Sequence, residues 1–177
     1  MPGVFDRTRK KALVRNISSN FNSALSTFFG EREPIVDIAK IQHRGYIDAL
    51  RTCGVEVEVL EELSGHPDCC FVEDTAIIFD DVAVICNPGH PSRADEVHTI
   101  SERLSEDFEI KLLSPDAKMD GGDVVFTGNK FLIGRSTRTN DIGINELSAI
   151  ASKYGYSTQV IDVPNSTLHL TTVCSVP

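Results

Sequence analysis

The residues of this chain best suited to chemistry are one histidine in an apolar setting and two acidic clusters upstream of it. His169 is the titratable group of the segment Ser166-Thr167-Leu168-His169-Leu170. The clusters are Phe71-Val72-Glu73-Asp74, with Asp68 just before it, and Met119-Asp120-Gly121-Gly122-Asp123. A histidine that protonates a leaving group works with an orienting carboxylate and a nucleophile. Carboxylates are plentiful here, but a nucleophile is not obvious. Cys174 follows His169 by five residues, which strand alternation would place on the opposite face, so it reads as a structural thiol. His43, His66, His90 and His98 carry no comparable spacing.

Glu73 and Asp74 are flanked by Phe71-Val72 and Thr75-Ala76-Ile77-Ile78, so at least one carboxylate should be partly buried and need a cationic or donor partner. That partner is either a guanidinium or ammonium ligand or an internal salt bridge at a strand corner. Arg93 and Arg138 each follow a strand pair by a polar loop. Each is either a bidentate anchor for a ligand carboxylate or a solvated loop arginine. Together, acids and arginines at repeated positions suggest a zwitterionic ligand with a cationic side chain. Asp120-Gly121-Gly122-Asp123 sets two carboxylates around two residues free to take positive φ. It lacks both the Gly-x-Gly-x-x-Gly of a dinucleotide site and the spaced ligands of an EF-hand.

Positioning these groups requires one ordinary globular fold. The chain has 177 residues, 41% hydrophobic and 24% charged, enough for a single domain with a real core. A net charge of −9 argues against a nucleic-acid partner. No apolar run approaches the roughly 20 residues that span a bilayer, and Met1–Arg7 contains no apolar leader segment. The five cysteines are an odd number without scaffold spacing, which fits reduced thiols and a cytoplasmic setting. Cys-x-x-Cys spacing is absent, so a zinc site finds little support.

The element pattern repeats. Lys11–Arg15 reads as a strand, Pro34 opens a helix through about Cys53, and Val55, Val57 and Val59 alternate as a second strand. Strands are then expected at 75–79 and 82–86, a helix capped by Ser92 over 93–106, and a strand at 109–113. The pattern restarts at Asp120, with strands at 124–126 and 130–133, a helix through Ile150, and a strand at 157–163. Asp74 and Asp123 open corresponding strands, and His169 opens or lies in the next. A repeat of about 45–50 residues implies modules stacked around an axis. Equivalent strand ends would then bring Asp74, Asp120 or Asp123, and His169 to one pocket.

At these residues the chain resembles the dimethylarginine dimethylaminohydrolase family, within the amidinotransferase and arginine deiminase superfamily. The matching stretches are Pro67–Asp74, Pro91-Ser92-Arg93, Asp120–Gly128, Ser136–Asn140 and Leu168-His169-Leu170. The resemblance implies a pentein-type α/β propeller of ββαβ modules, with about three of five present. The modules would run roughly over 1–65, 66–115 and 116–165, with the start of another at 166–177. It implies that Asp68, Glu73 and Asp74 hold the guanidinium or α-amino group of a methylated arginine. Phe71 would line the pocket, Arg93 and Arg138 would bind the α-carboxylate, and Leu25 would belong to a lid loop. His169 would be the general acid-base residue, oriented by Asp120, in a reaction that gives citrulline and needs no metal or organic cofactor. The family's nucleophilic cysteine would lie in a module beyond residue 177. On that reading the 177-residue chain is expected to have little activity alone, or to act as a binding module; an arginine deiminase-like hydrolase is the sibling alternative.

Overall fold

The computed structural model describes residues 10–26 and 33–176. The stretch Met1–Arg7 lies outside the described residues. The described residues form two compact units that divide between Val72 and Glu73.

In the first unit, β1 (Lys11–Arg15) and β2 (Glu56–Leu60) pair in parallel, from Lys11 opposite Glu56 to Arg15 opposite Leu60. The connection between these parallel strands includes α1 (Val36–Thr52), since parallel neighbours need a crossover rather than a tight turn. Gly54, at φ +80°, ends that helix in the left-handed region that a residue without Cβ adopts freely.

The second unit contains the same design twice. An antiparallel hairpin, β3 (Ala76–Phe79) and β4 (Val82–Ile85), is followed by α2 (Val97–Leu104) and by β5 (Glu109–Leu112), which pairs parallel to β4. The hairpin β6 (Val124–Phe126) and β7 (Lys130–Arg135) is likewise followed by α3 (Asp141–Lys153) and by β8 (Ser157–Asp162), parallel to β7. Each sheet therefore has the second hairpin strand at its centre. Val82, Ala83, Val84 and Ile85 of β4 are all buried, as expected of a β-branched strand covered on both faces. The modules share one core, in which Phe131 is fully buried among Phe79, Phe126 and Tyr156.

Two local expectations are corrected. The segment after Pro91 is first a 3-10 turn (Pro91–Glu96) and becomes α-helical only at Val97. Its cap is His90, whose side chain accepts from the Ser92 amide at 3.3 Å, rather than Ser92. Ser92 instead offers its hydroxyl to the same imidazole at 2.8 Å. His169 is extended, at φ −138° and ψ 162°, but belongs to no strand; it precedes a 3-10 turn at Leu170–Thr172. Alternating apolar residues set the extended backbone, whereas a strand also needs a ladder partner, and alternation alone does not supply one.

Among the described residues no helix is long and apolar enough to cross a membrane.

Candidate active site

Because β3 and β4 are antiparallel, the start of one lies at the same sheet edge as the end of the other, and the same holds for β6 and β7. At these edges the second unit gathers its ionisable groups. Asp74 stands in a 3-10 turn just before β3, and Asp123 ends an equivalent turn just before β6. The loop after β4 carries Gly89 and leads to Arg93, and the loop after β7 carries Arg138. Asp74, Arg93, Asp120, Asp123 and His169 are all buried.

The centre is the pair His169 and Asp120. His169 Nε2 lies 3.0 Å from Asp120 Oδ2. The same oxygen accepts from Arg138 Nη1 at 3.2 Å, and Asp120 Oδ1 accepts from the Gly89 amide at 2.7 Å. On the other side of the ring, Nδ1 faces Asp74 Oδ1 at 3.8 Å. Asp74 Oδ1 also accepts from the Gly122 amide at 3.0 Å, and its Oδ2 accepts from Arg93 Nη1 at 2.5 Å. Arg93 Nε and Nη2 both donate to Glu96 Oε2, at 3.0 and 2.7 Å.

The two glycines between Asp120 and Asp123 serve close approach rather than unusual φ. Neither is among the positive-φ residues, contrary to the expectation from their type. A Cβ on Gly122 would lie 2.6 Å from His169 Nδ1 and 2.7 Å from Asp74 Oδ1. A Cβ on Gly121 would collide with the backbone carbonyl of Glu73. Absence of a side chain is what lets this turn run between the acid and the imidazole.

The charges tune one another. Burial would lower the His169 pKa, but the bond from Asp120 and the charges of Asp74, Asp120 and Asp123 outweigh it and hold the imidazole above its ordinary value. Burial pushes Asp120 up, yet the bonds from His169 and Gly89 and the charges of His169 and Arg138 leave it below the ordinary carboxylate range. Asp123 stays above that range, because burial prevails over the bonds it accepts. Arg93 is raised further: burial opposes this, and its bonds to Glu96 and Asp74 overcome it. The site thus holds a buried imidazole oriented by a carboxylate and kept above its ordinary pKa, a group suited to proton transfer.

Asp74, Asp120 and His169 each offer one ligand atom within 4.8 Å of the others, so they are the residues that could converge on a metal ion. Both carboxylates already bond an arginine, however, and those two guanidinium charges oppose a cation at the same spot.

Of the residues picked from sequence, the second unit brings together Asp74, Arg93, Asp120, Arg138 and His169. Glu73 supplies the backbone carbonyl against Gly121. In the first unit, Leu25 and Asp68 meet: the Leu25 amide donates to both Asp68 oxygens, at 3.1 and 3.3 Å. Phe71 is exposed, with its ring 6.2 Å from that of Phe21. Sequence reasoning missed Glu96, Gly89, Ser136 and Thr139. Glu96 follows Arg93 by three residues, the spacing that pairs charges on one helical face, and that signal was available. Among the described residues, His169 bonds Asp120 and faces Asp74, and no cysteine sulfur is among its hydrogen-bond partners. Burial, together with the charges of Asp120 and Asp74, pushes the Cys86 thiol well up, the opposite of nucleophile activation. Cys174 packs partly against Val125, Val163 and Leu170.

The sequence model described as N,N dimethylarginine dimethylhydrolase, eukaryotic, matches residues 10–176. The chain belongs to the dimethylarginine dimethylaminohydrolase family. An N(G),N(G)-dimethylarginine dimethylaminohydrolase of Pseudomonas aeruginosa is 35% identical over 171 residues, covering 96% of this chain and 63% of the relative. One from Streptomyces coelicolor is 33% identical over 163 residues, covering 91% and 62%. The chain therefore spans less than two thirds of the length of these curated relatives. Among solved structures, a mutant of the Pseudomonas aeruginosa enzyme complexed with citrulline superposes with a TM-score of 0.87 at 30% identity, covering 92% of this chain and 64% of that one. The N-terminal domain of a cyanobacterial arginine dihydrolase, at 15% identity and a TM-score of 0.77, shares the fold. The fold is of the pentein α/β type, with the repeated modules described above.

Proposed function

We propose that this chain carries the proton-transfer and substrate-binding part of a hydrolase that converts Nω-methylated arginines to citrulline and a methylamine. The observation that carries the reading is the buried His169–Asp120 pair, with Arg138 on the same carboxylate oxygen and Asp74 against the second ring nitrogen. In this reading a cysteine thiolate attacks the guanidinium carbon, and protonated His169 gives its proton to the departing amine. His169 then takes a proton from water as the covalent adduct is hydrolysed. Asp120 holds the imidazole in orientation and stabilises its cationic form. Asp74 and Glu73 face the substrate guanidinium as acceptors. Arg138 contacts the α-carboxylate; Arg93, held by Asp74 and Glu96, adds positive charge to it. The roles of Asp68 in holding a cationic group, Phe71 in lining the pocket and Leu25 in a lid rest on the family resemblance. The modules are proposed to run roughly over 1–65, 66–115 and 116–165 as parts of a single catalytic-type domain.

The nucleophile is proposed to belong to the part of the family's length that these 177 residues do not span. Two observations support this: among the described residues no cysteine is a hydrogen-bond partner of His169, and burial with the charges of Asp120 and Asp74 pushes the Cys86 thiol well up. The test is citrulline release from asymmetric dimethylarginine, with ligand-induced thermal shift on the same sample. Expected is a raised unfolding midpoint with little or no citrulline from the chain alone. Citrulline release abolished by both His169→Ala and Cys174→Ala would place the nucleophile at Cys174 and overturn this part. Absence of any ligand effect on a cooperatively folded chain would overturn the function itself.

A further inference from the structure

Asp123 is completely buried, and the proton-transfer chemistry makes no direct use of it. Its carboxylate is nevertheless the junction between two segments that carry the site. Oδ2 accepts from the hydroxyls of Ser136 and Thr139, at 2.5 and 2.7 Å. Oδ1 accepts from the Leu170 amide at 3.0 Å. A hydroxyl has one proton, and in each case it points to Asp123, so the oxygen lone pairs are left to accept from elsewhere. Ser136 Oγ accepts from the Arg138 amide at 2.9 Å, and Thr139 Oγ1 accepts from the Asp120 amide at 3.3 Å. Leu170 directly follows His169. Arg138, Asp120 and His169 are therefore each anchored through the backbone to this one carboxylate. Room for it is provided at Gly134, where a Cβ would fall 2.9 Å from Asp123 Oδ1 and 3.0 Å from Leu170 Cβ.

We propose that Asp123 is a positioning residue which sets the direction of the Ser136 and Thr139 hydroxyls and ties the Arg138 loop to the His169 backbone, fixing the imidazole against Asp120. The proposal rests on the reading of His169 and Asp120 as the acid-base pair, and extends it to a residue that touches neither substrate nor the reacting atoms. An uncharged amide cannot replace the carboxylate. If the side-chain oxygen of the Asp123→Asn variant kept the Leu170 amide, its NH2 would face two hydroxyls that need an acceptor. Flipped, it would set NH2 against the Leu170 N–H.

The experiment uses the 177-residue chain, Asp123→Asn, Thr139→Val and Thr139→Ser. Circular dichroism and cooperative unfolding establish folding. The 15N shifts of the His169 ring, which faces the carboxylates of Asp74 and Asp120, are followed against pH. Binding of asymmetric dimethylarginine is measured separately. The expected result is an altered His169 ring signature in Asp123→Asn and Thr139→Val. Affinity should fall about tenfold or more, the loss of one hydrogen bond to a charged group. Thr139→Ser, which keeps the hydroxyl, should restore both readouts. Folded Asp123→Asn and Thr139→Val chains with an unchanged ring signature would overturn the proposal and leave Asp123 as a corner of the fold. If Asp123→Asn does not fold, the Thr139→Val and Thr139→Ser pair decides by the same criterion. If the unsubstituted chain binds no methylarginine, the functional reading fails, while the ring signature, which needs no ligand, still decides this one.

Discussion

Replacing Asp120 by Asn changes one atom in the centre of the site and should disturb three partners. The carboxylate accepts from the Gly89 amide at 2.7 Å, His169 Nε2 at 3.0 Å and Arg138 Nη1 at 3.2 Å. An amide has a single acceptor oxygen. Kept on Gly89, that oxygen leaves NH2 facing the Arg138 donor, and His169 must lose its proton to accept. Solvent gives little relief, because the side chains of Asp120, His169 and Arg138 are 0%, 9% and 13% exposed. Breaking a buried pair of this kind costs about 3–5 kcal/mol. For a chain of this size that is roughly 10 °C in Tm. The His169 pKa should also fall from its raised position, since the Asp120 bond and charge are lost while burial still lowers it and only Asp74 and Asp123 still raise it. Thermal unfolding and an NMR titration of the imidazole measure both. An Asp120→Asn protein that melts within about two degrees of the parent would contradict the reasoning, as would an imidazole that titrates no lower than in the parent.

Other outcomes follow from the same geometry. His169 is raised, so its stabilisation is complete below its ordinary value of 6.5 and is lost as pH rises through the raised value. Asp120 is lowered, so its contribution is present above 3.8 and lost as pH falls through the depressed value. Denaturant midpoints against pH should therefore decline at both ends, and a monotonic curve would contradict the pairing. Gly122→Ala forces a Cβ to 2.6 Å from His169 Nδ1; about 1–3 kcal/mol of destabilisation and weakened methylarginine binding are expected, read by urea unfolding and calorimetry. Cys86, buried and with a raised pKa, should react with a thiol reagent far more slowly than exposed Cys53 in the native chain, as peptide mapping would show. Phe131→Ala, which empties the centre of the shared core, should cost about 3–5 kcal/mol in equilibrium unfolding.

Much of this was legible in the chain because the modules repeat. The apolar strands of each hairpin and the acid before each first strand recur at fixed spacing, so Asp74, Asp123 and the element order that follows them could be read directly, while the sheet order could not. His169 and Asp120 were identifiable as residues able to pair, while their 3.0 Å contact depends on how the module edges pack. Other features were hidden for physical reasons. The spacing of Arg93 and Glu96 allows a pair, but the burial that makes it a bonded one at 2.7 Å is not visible in a segment that looks like a solvated helix start. Ser136 and Thr139 are common loop residues whose hydroxyl direction is set by Asp123, thirteen and sixteen positions away. The Gly121-Gly122 pair suggested unusual φ, since sequence does not distinguish that need from close approach. Alternation around His169 indicated extended backbone and could not report the missing ladder partner.

The most direct measurement is titration of the 15N-labelled chain with asymmetric dimethylarginine, following the His169 ring and the Asp120 amide, with an arginine-free zwitterion such as norleucine as control. Saturable shifts of both signals by the methylarginine alone are the expected result. A cooperatively folded chain whose His169 and Asp120 signals ignore the methylarginine, or respond equally to norleucine, would contradict the assignment of this cluster as the substrate site.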